Sequence, residues 1–134
     1  TDMSGMFQET SFNQDIGSWD VSKVTNMDGM FSRTPFNQDI SSWDVSNVTV
    51  TSYMFSGNNA FNQDISSWDV SNVGTTSCGD GCGNQGMNYM FQAATSFNQD
   101  LSSWSVSNVT KCEDFSKEAT AWTEPKPNFT NCTE

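Results

Sequence analysis

The chain has 134 residues, of which 34% are hydrophobic, and it carries 16 acidic against 5 basic side chains, a net charge of −11 and no histidine. This length allows one domain, and the acidic balance excludes binding to a nucleic-acid backbone, which requires clustered lysine and arginine. Cations, carbohydrates and other proteins remain as partner classes.

The first residues already follow the apolar spacing of a repeat, with Met3, Met6 and Phe7 in place. A repeat that begins without a cap exposes its apolar face, so we expect upstream residues or another subunit to cover it. The opening letters TDMSGMF are typical of a processed or partial mature segment. We find neither a signal peptide nor an apolar run that approaches a membrane span.

One phrase of thirteen residues recurs along the chain. The letters FNQDISSWDVSNV stand at 36–48 and again at 61–73, and close variants stand at 12–24 and 97–109. The phrase Met-Phe recurs between the copies, and the whole unit has about 24 residues. A period between 20 and 50 residues indicates a stack of structural repeats.

The spacing within one unit predicts two short elements. Trp19 and Val21 alternate with Asp20, which predicts a short strand with Asp20 pointing outward. Val24, Met27, Met30 and Phe31 are spaced by three and four residues or are adjacent, which suits a short helix on the opposite side. Thr25 or Asn26 is a natural N-cap for that helix. We therefore expect an α/β repeat solenoid with short parallel strands on one face and short helices on the other.

Identical residues of stacked repeats lie over one another. An asparagine recurs at the same place in every unit, so we expect a ladder of side-chain amides that satisfies buried turns. Its members are Asn13, Asn37, Asn62 and Asn98.

Two series of acidic residues run through the copies. The outward series is Asp20, Asp44 and Asp69, with Ser105 in the last unit. It is a candidate ligand face, either as a calcium site made of hard oxygen ligands from Asp20, Asp44 and Asp69 or as solvated, turn-stabilising carboxylates. The second series precedes an inward Ile or Leu and suits turn bonding; it comprises Asp15, Asp39, Asp64 and Asp100. Every carboxylate belongs to a series and no histidine is present, so we expect no enzymatic activity.

The third unit is interrupted by a glycine-rich insert within 74–86 that contains Cys78, Asp80 and Cys82. It has no phosphate-binding pattern. The other two cysteines are Cys112 and Cys132, and four cysteines allow three pairings. Cys78 with Cys82 and Cys112 with Cys132 is the local pairing that we favour. A structural zinc and free thiols remain as alternatives, although the cysteine spacing is not a common zinc pattern.

Asparagine glycosylation signals occur at Asn47, Asn108, Asn128 and Asn131. Together with paired cysteines they favour a secreted or cell-surface glycoprotein. Residues 116–134 contain Trp122, prolines and Phe129, and we interpret them as a capping tail on a repeat domain at 1–115, drawn over the last turn by a Cys112–Cys132 bridge.

The phrases FNQDISSWDVSNV and NMDGMF, from about residue 3 to 115, resemble the BspA-like leucine-rich repeat surface proteins, including the mycoplasma lipoprotein-associated type. The resemblance implies a right-handed solenoid, extracellular exposure and, in some members, adhesion; it brings no catalytic residues and no cofactor. Our leading hypothesis is a non-catalytic structural glycoprotein that self-associates end to end, as a larger assembly or filament. The alternative is an adhesion or ligand-binding module that uses the acidic face, with calcium as its one candidate cofactor.

Overall fold

A computed structural model describes residues 1–76 and 85–134. Within these ranges no residue lies in an α-helix or an extended strand. The regular backbone pairing consists of isolated parallel bridges that join Asp2 to Asn26, Asn26 to Val50 and Val50 to Gly86. The prediction of a leucine-rich-repeat-like α/β solenoid with parallel strands and helices is therefore wrong. The chain is a compact fold made mostly of turns and loops.

The repeat copies nevertheless lie on one another in register. Backbone N–H groups of Met3, Met27 and Met87 donate to the carbonyl oxygens of Asn26, Val50 and Lys111, at 2.9, 3.0 and 2.9 Å. We call each copy a coil and number the coils in chain order. Coil 1 is 2–25, coil 2 is 26–49, coil 3 is 50–85, coil 4 is 86–110 and coil 5 is 111–134. Coil 3 contains the undescribed residues 77–84.

Left-handed residues explain why the predicted helix is absent. In coil 2 the N–H of Met30 donates to Met27 at 3.2 Å and that of Ser32 to Gly29 at 3.0 Å, as in successive tight turns. Gly29 and Arg33 have φ of +63° and +55°, whereas an α-helix requires φ near −63°. A left-handed residue every fourth position stops the helix from propagating. Asn26 Oδ1 accepts the N–H of Asp28 at 2.9 Å, but this bond begins a turn instead of a helix.

Stacked phenylalanines form the centre of the core. Phe31 lies 4.0 Å from Phe36 within its own coil and 5.7 Å from Phe55 of the next coil, measured between ring centroids. The same arrangement recurs in coils 3 and 4 with Phe55, Phe61, Phe91 and Phe97, which are fully buried. The core is therefore continuous from coil to coil, and no single coil could bury it alone.

The total accessible surface is small for the mass of the chain. It amounts to 6345 Å², whereas a compact protein of 14.8 kDa exposes about 7,000 Å² by the usual scaling. The short stack is consequently a compact body and not an extended rod.

Two glycines flank the insert. Gly74 has φ of +90° and a Cβ there would collide with the carbonyl of Asn108; Gly86 has φ of +93° and its Cβ would lie 2.7 Å from the carbonyl of Lys111. Only glycine fits at these two positions, where the backbone of the neighbouring coil lies this close. Cys78, Asp80 and Cys82, with the bridge predicted between the two cysteines, lie outside the described residues.

Candidate functional site

Coil 1 has an apolar face that the stack does not cover. Trp19 is 40% exposed, whereas its counterparts Trp43, Trp68 and Trp104 are each 4% exposed. Met6 is 46% exposed, and the methionines at the same place in coils 2 to 4 are fully buried. We call this surface, formed by Met6, Phe7, Phe12 and Trp19, the open face. Trp19 keeps the position of its counterparts, since its ring centroid lies 6.0 Å from that of Phe7 and the ring centroid of Trp43 lies 6.2 Å from that of Phe31. It is exposed because no described coil lies above it.

The contacts between coils show what the open face would bind. Trp43 Nε1 donates to the carbonyl of Ile16, and Trp68 Nε1 to that of Ile40, both at 3.1 Å. Each indole thus reaches back to the preceding coil. Among residues 1–76 and 85–134 no hydrogen bond reaches Trp19 Nε1, so coil 1 presents the same donor with no acceptor above it.

The predicted asparagine ladder is present. Asn13 Oδ1 accepts the N–H of Asn37 at 2.9 Å, and the next two steps, to Asn62 and then Asn98, measure 3.0 and 2.8 Å. Asn98 Oδ1 continues the series by accepting the N–H of Thr123 at 2.7 Å. The amides bond to backbone and not to one another, so each asparagine replaces a missing backbone acceptor. The ladder is structural, and its asparagines belong to coils 1 to 4.

A second asparagine ladder was missed by the sequence reasoning. Each of its members donates a hydrogen bond from Nδ2 to a serine carbonyl of the preceding coil, at 2.6 to 2.8 Å. The members are Asn47, Asn72, Asn108 and Asn131. The recurrence of Ser-Asn at the end of three of the four copies of the phrase was the available signal. Three of these residues are also predicted glycosylation sites. Only Asn128 among the four signals is exposed with no hydrogen bond to another described residue.

The outward acidic series forms local turns. Asp44 Oδ1 accepts the backbone N–H of Ser46 at 3.1 Å and its hydroxyl at 2.6 Å, and Asp20 and Asp69 do the same with Ser22 and Ser71. These bonds, the hydroxyl's first, lower the pKa of all three carboxyl groups. Repulsion from Asp69 and Asp20 opposes the shift at Asp44. Ser105, which ends the series, is exposed.

The second acidic series also bonds as expected. Asp15, Asp39, Asp64 and Asp100 each accept the N–H of the second residue along the chain, at 2.9 Å. In the described part of the chain no three acidic, cysteine or histidine side chains are grouped closely enough to hold a metal ion. The carboxylates therefore serve the turns of their own coils.

Coil 5 closes the other end of the stack. A disulfide joins Cys112 to Cys132, as the local pairing predicted, with the two Cα atoms 5.9 Å apart. Trp122 packs edge-on against Phe97, at 4.7 Å between ring centroids. Glu134 Oε1 accepts the N–H of Ser116 at 2.8 Å and its hydroxyl at 2.6 Å.

The bond to Glu134 has a clear structural meaning. In coil 4 the N–H of Phe91 points to the next coil and donates to Phe115 at 2.8 Å. Ser116, one residue after Phe115, instead donates to a side chain of its own coil. The two ends of the stack thus differ: coil 1 presents an open face, while coil 5 bonds to itself.

No helix in the described residues is long and apolar enough to cross a bilayer. Comparison with known proteins finds no curated protein that matches the chain. No solved structure matches it either. A family model matches residues 1–78 and 83–133, which is nearly the whole chain, including all four copies of the phrase and coil 5. The chain therefore belongs to the family DUF285, described as a Mycoplasma protein of unknown function.

Proposed function

We propose that the protein is a non-catalytic structural repeat glycoprotein of the extracellular space or cell surface, and that it self-associates through the open face of coil 1. The observation that supports this most is the exposure of Trp19 and Met6, at 40% and 46%, where later coils bury the same side chains. Burying a large apolar side chain stabilises a contact by about 1.5–3 kcal/mol.

The asymmetry of the two ends favours pairing over unlimited growth. A filament requires each open face to bind the opposite end of the next copy. The disulfide and the Glu134 bond hold that opposite end closed on itself. Two copies that join their open faces bury both of these faces, which supports a pair as the first assembly and makes a filament the less favoured form.

An oxidising environment suits this proposal. The Cys112–Cys132 bridge persists where thiols are not kept reduced, as in secreted and surface proteins. Glycosylation signals in exposed positions agree with such a location. We propose no second function for the outward acidic series, whose carboxylates accept hydrogen bonds from serines of their own turns.

Sedimentation velocity over a range of concentrations tests the association. We expect the wild type to form a pair and the double variant Met6→Ser with Trp19→Ser to sediment as a monomer. Glu124→Ser is the matched control, since Glu124 is exposed on closed coil 5. It should associate like the wild type.

Two results would contradict the proposal: a wild type that stays monomeric at high concentration, or a double variant that associates as well as the wild type. Electron microscopy of the same samples separates a pair from a filament.

A further inference from the structure

A cavity of about 450 Å³ opens on the side of the stack, across coils 1 to 3. Its lining consists of Ser4, Gly5, Gln8, Asp28, Gly29 and Tyr53. These residues take no part in the acidic series, and none belongs to the open face. The cavity is within the usual size range of small-molecule sites.

A change of residue type along one column creates this cavity. The first left-handed position of coils 1 to 4 is occupied by Gly5, Gly29, Tyr53 and Tyr89, with φ between +56° and +63°. Gly5 and Gly29 carry no side chain, so the space beside them is open. The side chain of Tyr53 borders this space. The repeat therefore leaves an empty place beside an aromatic ring.

Tyr53 offers one ring face to the cavity. Tyr89 stacks on it from coil 4, with ring centroids 4.7 Å apart and an angle of 18° between the planes. Because Gly29 lies on the opposite side, the other face of Tyr53 borders the cavity. A left-handed conformation costs a tyrosine about 1–2 kcal/mol, and glycine serves the same position in coils 1 and 2.

Polar groups surround the aromatic face. Gln8 Oε1 lies 3.8 Å from the point that a Cβ on Gly29 would occupy, so the carboxamide lies close to Gly29. Asp28 supplies a carboxylate and Ser4 a hydroxyl. The pKa of Tyr53 is raised, by burial first and then by the charge of Asp28, which agrees with their proximity. An aromatic face edged by a carboxylate, an amide and a hydroxyl is thus assembled from three coils.

We propose that this cavity binds a neutral saccharide, with an apolar pyranose face on Tyr53 and sugar hydroxyls bonded to Asp28, Gln8 and Ser4. The weakly acidic C–H groups of a sugar ring face the negative side of the tyrosine ring favourably. The carboxylate and carboxamide each accept from hydroxyl groups, which a saccharide supplies in pairs.

Other ligand classes fit the lining less well. An anion would meet Asp28 and a chain of net charge −11. A quaternary ammonium ion would use Tyr53 and Asp28 but would make no hydrogen bond to the Gln8 carboxamide, and such ions are normally enclosed by several aromatic rings. A saccharide uses all four side chains.

Saturation-transfer-difference NMR and calorimetry with cellotriose, maltotriose, chitotriose and mannotriose test the proposal, with choline as the competing probe. We expect at least one trisaccharide to bind to the wild type. Tyr53→Gly, which installs the residue found in coils 1 and 2, should weaken that binding by about tenfold or more.

Tyr89→Gly is the matched control, since it makes the same change one coil further along, at a ring that does not line the cavity. It should retain most of the binding. Gln8→Ala alters an exposed side chain that the core does not need, and it should weaken binding even if Tyr53→Gly folds poorly.

The proposal is overturned if no trisaccharide binds to the wild type, if binding survives both Tyr53→Gly and Gln8→Ala, or if choline alone binds. Sedimentation of the wild type reports separately on association, so the saccharide site and the self-association proposal can fail independently.

Discussion

Asn62 shows how one residue connects three coils, through its backbone N–H and its side-chain oxygen. Its N–H donates to Asn37 Oδ1 in coil 2, and its own Oδ1 accepts the N–H of Asn98 in coil 4 and a proton of Gln99 Nε2 at 3.0 Å. Removing the carboxamide leaves the N–H of Asn98 without this acceptor, while Gln99 Nε2 keeps only its bond to the Asn62 carbonyl, at 3.1 Å. The phrase must repeat this residue because each asparagine bonds to the next one.

Asn62→Ala should therefore lower the free energy of unfolding by about 1–3 kcal/mol, the cost of leaving buried or half-buried donors unsatisfied. Chemical denaturation measures this. Asn128→Ala removes an asparagine that has no hydrogen bond to another described residue, so it should change the stability by less than about 0.5 kcal/mol. Equal effects of the two substitutions would show that the ladder contributes nothing.

Left-handed residues other than glycine strain the tight turns, and this strain can be measured as a change in stability. Ala93 has φ of +54°, and the equivalent place in coil 3 is taken by Gly57 at +68°. An alanine in this conformation is strained, whereas a glycine is not. The strain belongs to the turn and is present whatever the side chain contacts.

Ala93→Gly should stabilise the fold by about 1 kcal/mol through relief of this strain. The reverse change, Gly57→Ala, should destabilise it by at least that much, because its Cβ would also lie 3.0 Å from Arg33 Cγ. Thermal melts of the two variants compare them directly. A loss of stability in Ala93→Gly would contradict the assigned backbone strain.

Coil 5 depends on its bridge because it has a neighbouring coil on one side only. Cys112 and Cys132 close a loop with a sequence separation of 20 residues. Closing a loop of this size restricts the unfolded chain and stabilises the fold by about 2–4 kcal/mol.

We expect Cys132→Ser to lose about this amount of stability. Hydrogen exchange should then rise in coil 5 before it rises in coil 2. The substitution changes this bridge alone, whereas a reducing agent is not limited to one bridge. Uniform exchange across coils 2 and 5 would contradict the role of the bridge as a local closure.

At the scale of the whole molecule, the acidic turns make stability depend on pH. The carboxyl groups of Asp20, Asp39, Asp44, Asp64, Asp69 and Asp100 have lowered pKa values, because serine hydroxyls and then backbone N–H groups bond to the charged form. A lowered pKa in the folded state stabilises the fold above the ordinary value of 3.8. That contribution is lost as the pH falls below 3.8 through the folded-state values.

Urea unfolding should consequently show similar midpoints at about pH 7 and pH 5 and a lower midpoint at about pH 3, on either side of the ordinary aspartate pKa. The double variant Ser46→Ala with Ser71→Ala removes two of the hydroxyl donors, so its loss between pH 5 and pH 3 should be smaller. A wild type that becomes more stable at pH 3 would show that mutual repulsion of the acids outweighs the turn bonds.

The repeat, its period and its asparagine ladder could all be predicted from the sequence. Stacked copies place Asn13 beside Asn37 wherever the period is kept, and the bonds from Asp15 and Asp39 to the following turn depend only on residues two positions away. The pairing of Cys112 with Cys132 was also accessible, because both lie in the tail after the last copy of the phrase. These features are local or follow directly from the periodicity.

Tertiary structure alone decided the rest. The spacing of Val24, Met27, Met30 and Phe31 suits a helix, but the pairing of each turn with the turns of neighbouring coils imposes left-handed residues at Gly29 and Arg33. The exposure of Trp19 and the cavity beside Tyr53 depend on which coils lie above and below them. A sequence fixes which residues recur, whereas contacts between coils determine which recurring residues are covered and which remain free to bind.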